Sequence, residues 1–432
     1  MLPSRSGEAI AASIQANSHE EVQSGRDTMV RPDFLQRFSR AGIRRIRSVY
    51  RRLAGYPVVR NALAGDEKQS ATRALLIYLT EPFLLQPNDP RFRQHQNLRQ
   101  NMLIARILGE FGYIVDVRDI SDRRAYALSE YQLVISHRVD LNVPPDRFRE
   151  RSILVYLATG IHHVQHNSNI RARYAKLESR RRCKIPPVTL NTEFMPFLER
   201  ADFIVGIGNS LTTGTWKEGS RAPILPVNNF ALQVEGLENR ARNFEMARKN
   251  FFFFASRDQI AKGLDLLLEI FPRHPDLQLY ICSRFSNERE FVRCYSKELF
   301  RTPNVHAIGL LDIADPALRE ILQKCAFVIL PSCSEGQPGS VLQCMQEGLI
   351  PLITRACGID PGSAGRIFDD DSVETIEKTI MEAAGNEPSA LARQSSECRI
   401  LVTERYSETA FIRRWREIAA GLQTAISRGP ER

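Results

Sequence analysis

Cysteine is absent from the first 182 residues of this 432-residue chain, and the eight that follow contain no CxxC pair. Neither a thiol-redox motif nor a thiolate metal site is therefore expected. The cysteines read as reduced thiols of a cytosolic protein, with Cys325 and Cys344 in the core. No run of about 20 apolar residues occurs, so no membrane-spanning helix is expected. The first 30 residues are polar and hold no apolar segment of the kind a secretory leader needs. Histidine is also scarce, at eight, and no His and Cys set has metal-ligand spacing. What remains is an ordinary globular composition, 43% hydrophobic and 25% charged, long enough for two or three domains. The net charge of +9 and a pI near 9.2 suit an anionic small molecule, an anionic membrane surface or nucleic acid without choosing between them.

The stretch 332–348, SCSEGQPGSVLQCMQEG, follows the apolar run 326–330. A buried strand that stops at Pro331, then a Gly, Pro and Ser-rich turn, then a helix, is how a doubly wound α/β domain builds a ligand crevice. The helix expected to start near Ser340 leaves its first amides free for a phosphate or a sugar hydroxyl. Gly336 and Gly339 allow close approach to the backbone, and Glu335 stands at the mouth as an acceptor. Upstream, 251–271 reads FFFFASRDQIAKGLDLLLEIF, a strand running into a loop that carries Arg257 and Lys262. Two cations on such a loop, facing a glycine-rich helix start, suit a diphosphate.

These segments, with NVHAIGLL at 304–311, resemble the C-terminal domain of GT-B glycosyltransferases of the retaining family four, also called group one, from about residue 250 to the C-terminus. The resemblance implies two facing Rossmann-like α/β domains with a cleft between them. It implies that Arg257 and Lys262 contact the diphosphate of a nucleotide-sugar donor, helped by Gly336, Gly339 and Ser340. The paired acids of that family, eight positions apart, contact donor sugar and ribose and map to Glu335 and position 343. Position 343 is Gln, which still offers an acceptor and two donors. A histidine of the N-domain loop after the fourth strand contacts donor sugar or acceptor in the family, which maps to His162 or His163, with His163 taken as the candidate beside Glu335. A metal is not expected, because cations and helix termini take its place, although His162, His163 and His166 in one turn also permit a metal reading. The resemblance further implies that the loop 358–365 lies near the donor.

Along the chain, 1–70 reads as an N-terminal extension, 71–240 as the acceptor domain and 241–432 as the donor domain, with the last helix returning to the first domain by analogy. Within the extension, 34–56 places Phe34, Phe38, Ile43, Ile46, Tyr50 and Leu53 at helical spacing among seven arginines. Such a helix lies on an anionic bilayer or packs on its own protein. No nucleic-acid module accompanies it, so a nucleic-acid partner is not expected. Strands are expected at 74–80, 113–117, 133–136, 153–158, 202–207 and 224–227, then at 251–255, 277–282, 305–308, 327–330 and 349–353. The loop after the first strand, 81–100, lacks the Gly-Gly pair usual in the family; Arg91, Arg93 and His95 either replace its anion contacts or form a solvated basic loop. The basic run 171–184 reads either as a solvated helix face or as a steering surface for a phosphorylated donor or anionic acceptor.

The function these features imply is transfer of a sugar from a nucleotide diphosphate donor to an acceptor hydroxyl with retention, in polysaccharide or glycoconjugate synthesis. The acceptor is a sugar, a lipid-linked sugar or a glycan, and the protein is expected in the cytoplasm, at the inner face of the membrane if the basic helix binds lipid. Gln343 and the missing Gly-Gly pair motivate the alternative of a non-catalytic sugar-nucleotide-binding or assembly protein on the same fold. A phosphorylase or epimerase is a third reading.

Overall fold

The computed structural model describes residues 57–62, 72–86, 88–93, 95–124, 128–141, 152–233 and 242–428. The basic helix expected over 34–56 lies outside the described residues.

Two parallel sheets organise the chain. The first contains β1 (Arg73–Tyr78), β2 (Ile114–Asp119), β3 (Leu133–Ser136), β4 (Ile153–Ala158), β5 (Phe203–Ile207) and β6 (Ile224–Val227), in the order 2-1-3-4-5-6. The second contains β7 (Asn250–Phe254), β8 (Gln278–Cys282), β9 (Val305–Ala307), β10 (Phe327–Leu330), β11 (Ile350–Ile353) and β12 (Arg366–Ile367), in the order 12-11-10-7-8-9. Strands such as ILVYLA and FVIL are buried on both faces, which is why they read as continuous apolar runs and not as alternation. β12 is only two residues long and carries no such pattern. Each sheet reverses direction once, between β1 and β3 in the first and between β7 and β10 in the second. The loops that leave these strands at their carboxyl ends are where a crevice opens in an open α/β sheet.

The helix His163–Arg181 belongs in sequence to the first half, yet Ile170, Tyr174 and Leu177 join the apolar core of the second sheet. Their spacing of four and three residues puts them on one face. Of the basic run around them, Arg171, Lys176, Arg182 and Lys184 are exposed, whereas Arg173, Arg180 and Arg181 reach the second half. Arg173 is buried and reaches Asp371 at 3.2 Å and the Pro331 carbonyl at 3.0 Å. Arg180 pairs with Asp265 at 2.7 Å and Glu269 at 3.0 Å, and Arg181 with Glu298 at 2.8 Å. Charges taken out of water need such partners, so this part of the run is a zipper onto acids of the second half. At its end Cys183 and Cys294 form a disulfide, with Cα atoms 6.5 Å apart, which corrects the expectation of eight thiols. The other six cysteines are free.

The terminal helix Glu408–Arg428 packs Phe411, Trp415, Ile418 and Leu422 against Leu103, Ile107 and Phe230 of the first sheet's core. Bonds from Arg99 to Glu408 and from Arg416 to Glu110 flank that contact. Residues 57–62 run along β2, with Val59 and Val117 exchanging two backbone hydrogen bonds. Trp415 is fully buried and has no surface route to relax. Trp415→Ala is therefore expected to cost about 3–5 kcal/mol, read as a lower denaturant midpoint for unfolding; an unchanged midpoint would show that the helix is dispensable to the first sheet.

Candidate functional site

The wall contributed by the second sheet is built on the β7–β10 reversal. After β7 the chain turns through Asp258, whose φ of 61° is left-handed, and this turn leaves Arg257 exposed at the cavity. The Asp258 carboxylate is held by the Tyr174 hydroxyl at 2.8 Å, by the Ala261 amide at 3.1 Å and by the Thr189 hydroxyl. Four residues further on, Lys262 forms an ion pair with Glu335 from the loop after β10. Ser332 also donates to that carboxylate at 3.0 Å. Burial works to lower the Lys262 pKa, but the charge of Glu335 and the bond to it prevail and raise it above the usual lysine value, so the ammonium stays charged. Gly263, at φ 79°, lies where a Cβ would strike the Pro331 carbonyl, so only glycine lets the two loops cross. No ion pair to Arg257 is present among the described residues.

The opposite wall comes from the first sheet. A cavity of about 530 Å³ separates the two and is lined by Arg257, Lys262, Glu335 and Gly336 on one side and by His137, Arg138, Tyr156, His163 and Trp216 on the other. Gly336 lies so close to the Thr159 carbonyl that a Cβ there would collide with it. The Nδ1 of His163 lies 2.8 Å from the Thr192 carbonyl and that of His137 2.8 Å from the Leu157 carbonyl. A carbonyl only accepts, so both Nδ1 atoms carry the proton and each Nε2 is left as an acceptor. His166 spans the halves, between Ser334 Oγ at 2.7 Å and the Thr189 carbonyl at 2.5 Å. His162 turns away from the cavity onto Trp216, and neither of its ring nitrogens has a partner. The three histidines of this turn thus face three ways, and no group of three or more His, Cys, Asp or Glu residues is placed to hold a metal among the described residues.

Of the residues singled out in the sequence, Glu335, His163, Arg257, Lys262 and Gly336 share this cavity, whereas Gly339, Ser340 and Gln343 lie outside it. The helix Gly339–Gln346 does begin there, but the Gln96 side chain covers Gly339. Gln343 is buried, accepting from the Leu232 amide at 3.0 Å and donating to Gln346 at 3.2 Å. Gln337, which the sequence did not mark, is a strut between the halves. It accepts from the Asn229 amide at 2.7 Å and donates to the Gly358 carbonyl at 2.6 Å. The loop 358–365 packs on Asn209 through Asp360 at 2.6 Å and contributes nothing to the cavity wall. In the loop after β1, Arg91 is taken by Asp89 and Glu81, and Arg93 lies 3.8 Å from Asp312. His95 caps its own helix by accepting from the Asn97 amide. Asp258, Tyr156, Arg138 and Trp216 were missed by sequence reasoning, and His166 was marked there only for a metal reading; of the missed residues Arg138 had a signal, its place two residues past an expected strand.

Two facing parallel sheets, each with one reversal, and a cleft at their strand ends define the GT-B class. Three solved structures share the fold: sucrose-phosphate synthase from Thermosynechococcus elongatus (TM-score 0.53, 13% identity), HepE from Anabaena in complex with UDP and glucose (0.51, 13%), and a glycosyltransferase from Rickettsia africae (0.51, 10%). Each likeness covers 82% of this chain, and 100%, 100% and 99% of the respective other chain. At these identities the likeness speaks for the fold. No curated protein matches the sequence. The chain thus has the GT-B fold, and residues 237–397, within its second half, match the family of glycosyl transferases group 1.

Burial pushes His137, His162 and His163 below the ordinary histidine value, and His95 too, where Arg257 and Lys262 add to the effect. In the unfolded chain these rings titrate near about 6.5. Below that pH the unfolded state binds more protons than the folded one, so stability is full above about 7 and declines as the solution is acidified toward 5. The melting temperature is expected to fall across that window. His162→Phe should flatten the decline without lowering stability at pH 7.5, because the ring makes no hydrogen bond to lose. Calorimetry at pH 7.5, 6.5 and 5.5 tests this, and parallel curves for the two proteins would remove His162 from the account.

Proposed function

We propose that the protein transfers a sugar from a nucleotide diphosphate donor to an acceptor hydroxyl with retention at the anomeric carbon. The observation that carries the reading is the Lys262–Glu335 pair beside the unpaired Arg257, inside a cavity closed on its far side by His163. Arg257 and Lys262 neutralise the charge that grows on the leaving diphosphate, Glu335 orients the donor sugar, and the Nε2 of His163 accepts from a sugar hydroxyl. As the bond from the anomeric carbon to the phosphate oxygen breaks, the acceptor oxygen bonds to that carbon from the same face and its proton passes to the leaving phosphate. Contact between the two halves excludes water that would otherwise hydrolyse the donor. In this reading the fixed cations take the place of a metal, and Gly339, Ser340 and Gln343 serve the phosphate and ribose once Gln96 is displaced. A role in polysaccharide or glycoconjugate synthesis, in the cytoplasm or at the inner face of the membrane, belongs to the same reading.

A second reading, a non-catalytic sugar-nucleotide-binding or assembly protein, draws support from the two amides that occupy the ribose end, Gln343 on Leu232 and Gln96 on Gly339. The two part in a thermal-shift screen against UDP, GDP, ADP and their sugar conjugates, since a ligand of the folded state alone raises the melting temperature. A shift with one nucleotide, lost in Lys262→Ala, is expected. The same variant should slow transfer by about 100-fold or more, on the scale of one preorganised charge contact. Normal turnover in Lys262→Ala would take the residue out of the site, and the absence of any shift would favour the non-catalytic reading.

A further inference from the structure

The first sheet reverses between β1 and β3, and the loop after β3 carries His137, Arg138 and Asp140 into the cavity. Arg138 is 11% exposed; its Nε donates to Asp140 at 2.9 Å and one Nη1 hydrogen to the Asp122 carbonyl at 2.8 Å, while Nη2 has no protein partner among the described residues. Arg123, which is 64% exposed, pairs with the same Asp140 carboxylate. Two guanidinium groups therefore share one acid. Beside them stands Tyr156, 1% exposed, which lines the cavity and whose hydroxyl makes no hydrogen bond to protein among the described residues. His137 adds the Nε2 acceptor already described. A largely buried guanidinium with a free nitrogen and a phenol on one wall, both open to the cavity, are placed to bind a polar ligand.

We infer that this end of the cavity is an acceptor subsite for a sugar carrying an anionic group, a carboxylate or a phosphate, which Arg138 Nη2 and Arg123 bind while Tyr156 and His137 hold neighbouring hydroxyls. The word acceptor rests on the glycosyl-transfer reading; the anion site does not. A planar guanidinium with two open N–H groups fits both oxyanions. The donor end keeps its own cations, Arg257 and Lys262, on the other wall, so two negative groups are held apart by the sugar between them.

The test is calorimetric titration of the full chain with methyl glucoside, glucuronate, glucose 6-phosphate and UDP, in the wild type, Arg138→Gln, Arg123→Gln and Lys262→Ala. At least one charged sugar should bind about 10-fold or more tightly than methyl glucoside. Which of the two does so tells carboxylate from phosphate. Both arginine variants should erase most of that advantage and leave methyl glucoside and UDP unchanged, whereas Lys262→Ala should weaken UDP and preserve it. Arg123→Gln changes an exposed side chain and so keeps the test clear of folding defects. Equal binding of charged and neutral sugars, no binding of any sugar, or an advantage that disappears in Lys262→Ala and survives in the arginine variants would overturn the subsite. Failure of UDP to bind, with the arginine-dependent preference intact, would count against glycosyl transfer and in favour of the anion site alone.

Discussion

The burial of one guanidinium holds this molecule in its working shape. Arg173 projects from a helix of the first half into the second, where its partners are the Pro331 carbonyl, Asp371 and, at 3.4 Å, the Ile260 carbonyl. Pro331 and Ile260 flank the loops that carry Glu335 and Lys262. A buried charge stripped of a partner costs about 3–5 kcal/mol, so this contact ties the donor wall to the helix that begins at His163. Tyr174, one residue along, holds Asp258 and thereby the turn that presents Arg257. The two walls of the cavity are for this reason set by a single element, and the disulfide at its far end reinforces the same link.

That arrangement changes what closure means. In a two-domain transferase the reacting groups assemble when the halves approach, and the approach must be reversible for substrate to enter. Here the helix His163–Arg181 is part of the second half's core, so the surface free to separate is the remainder of the first sheet with its loops, including Arg123, Arg138 and Tyr156. The contacts across that surface are mostly neutral amides and carbonyls: Gln337 with Asn228 and Asn229, Gln343 with Leu232, Asn209 with Gly358. Neutral hydrogen bonds exchange with water at small net cost, whereas the charged zipper does not.

The fold was legible in the sequence because parallel strands covered on both faces, such as β4 and β10, leave unbroken apolar runs, and eleven of the twelve strands were expected from the sequence. That Arg257, Lys262, Glu335 and Gly336 meet at one cavity was legible for a related reason: Gly263 and Gly336 stand where no side chain fits, which marks the loops that cross there. Partners in space were not legible. Arg171 to Lys184 looks solvated until Asp265, Glu298 and Asp371 are brought to it from up to 200 positions away. Cys183 gave no hint of Cys294 for the same reason. The choice between His162 and His163 could not be made from spacing, because the chain enters a helix there and neighbouring residues point about 100° apart. One ring therefore faced the cavity and the other the core.

Gln343 poses the sharper question, since an amide stands where the family has an acid. A carboxylate at that position, buried against the Leu232 amide, would bring an uncompensated charge into the contact between the halves. The amide makes the same hydrogen bond without that charge, so the substitution favours a tightly closed state. It need not abolish ligand entry. Displacing the neutral Gln343 contact on Leu232 costs about 0.5–1.5 kcal/mol, while charge-assisted bonds from a diphosphate to Arg257 and Lys262 contribute about 1.5–3 kcal/mol each. Lys262 must also leave Glu335, which returns part of that gain. On the proposed reading donor binding therefore outweighs the loss of the Gln343 contact. An anionic acceptor held by Arg138 and Arg123 would add attraction at the opposite wall, so that both substrates draw the halves together.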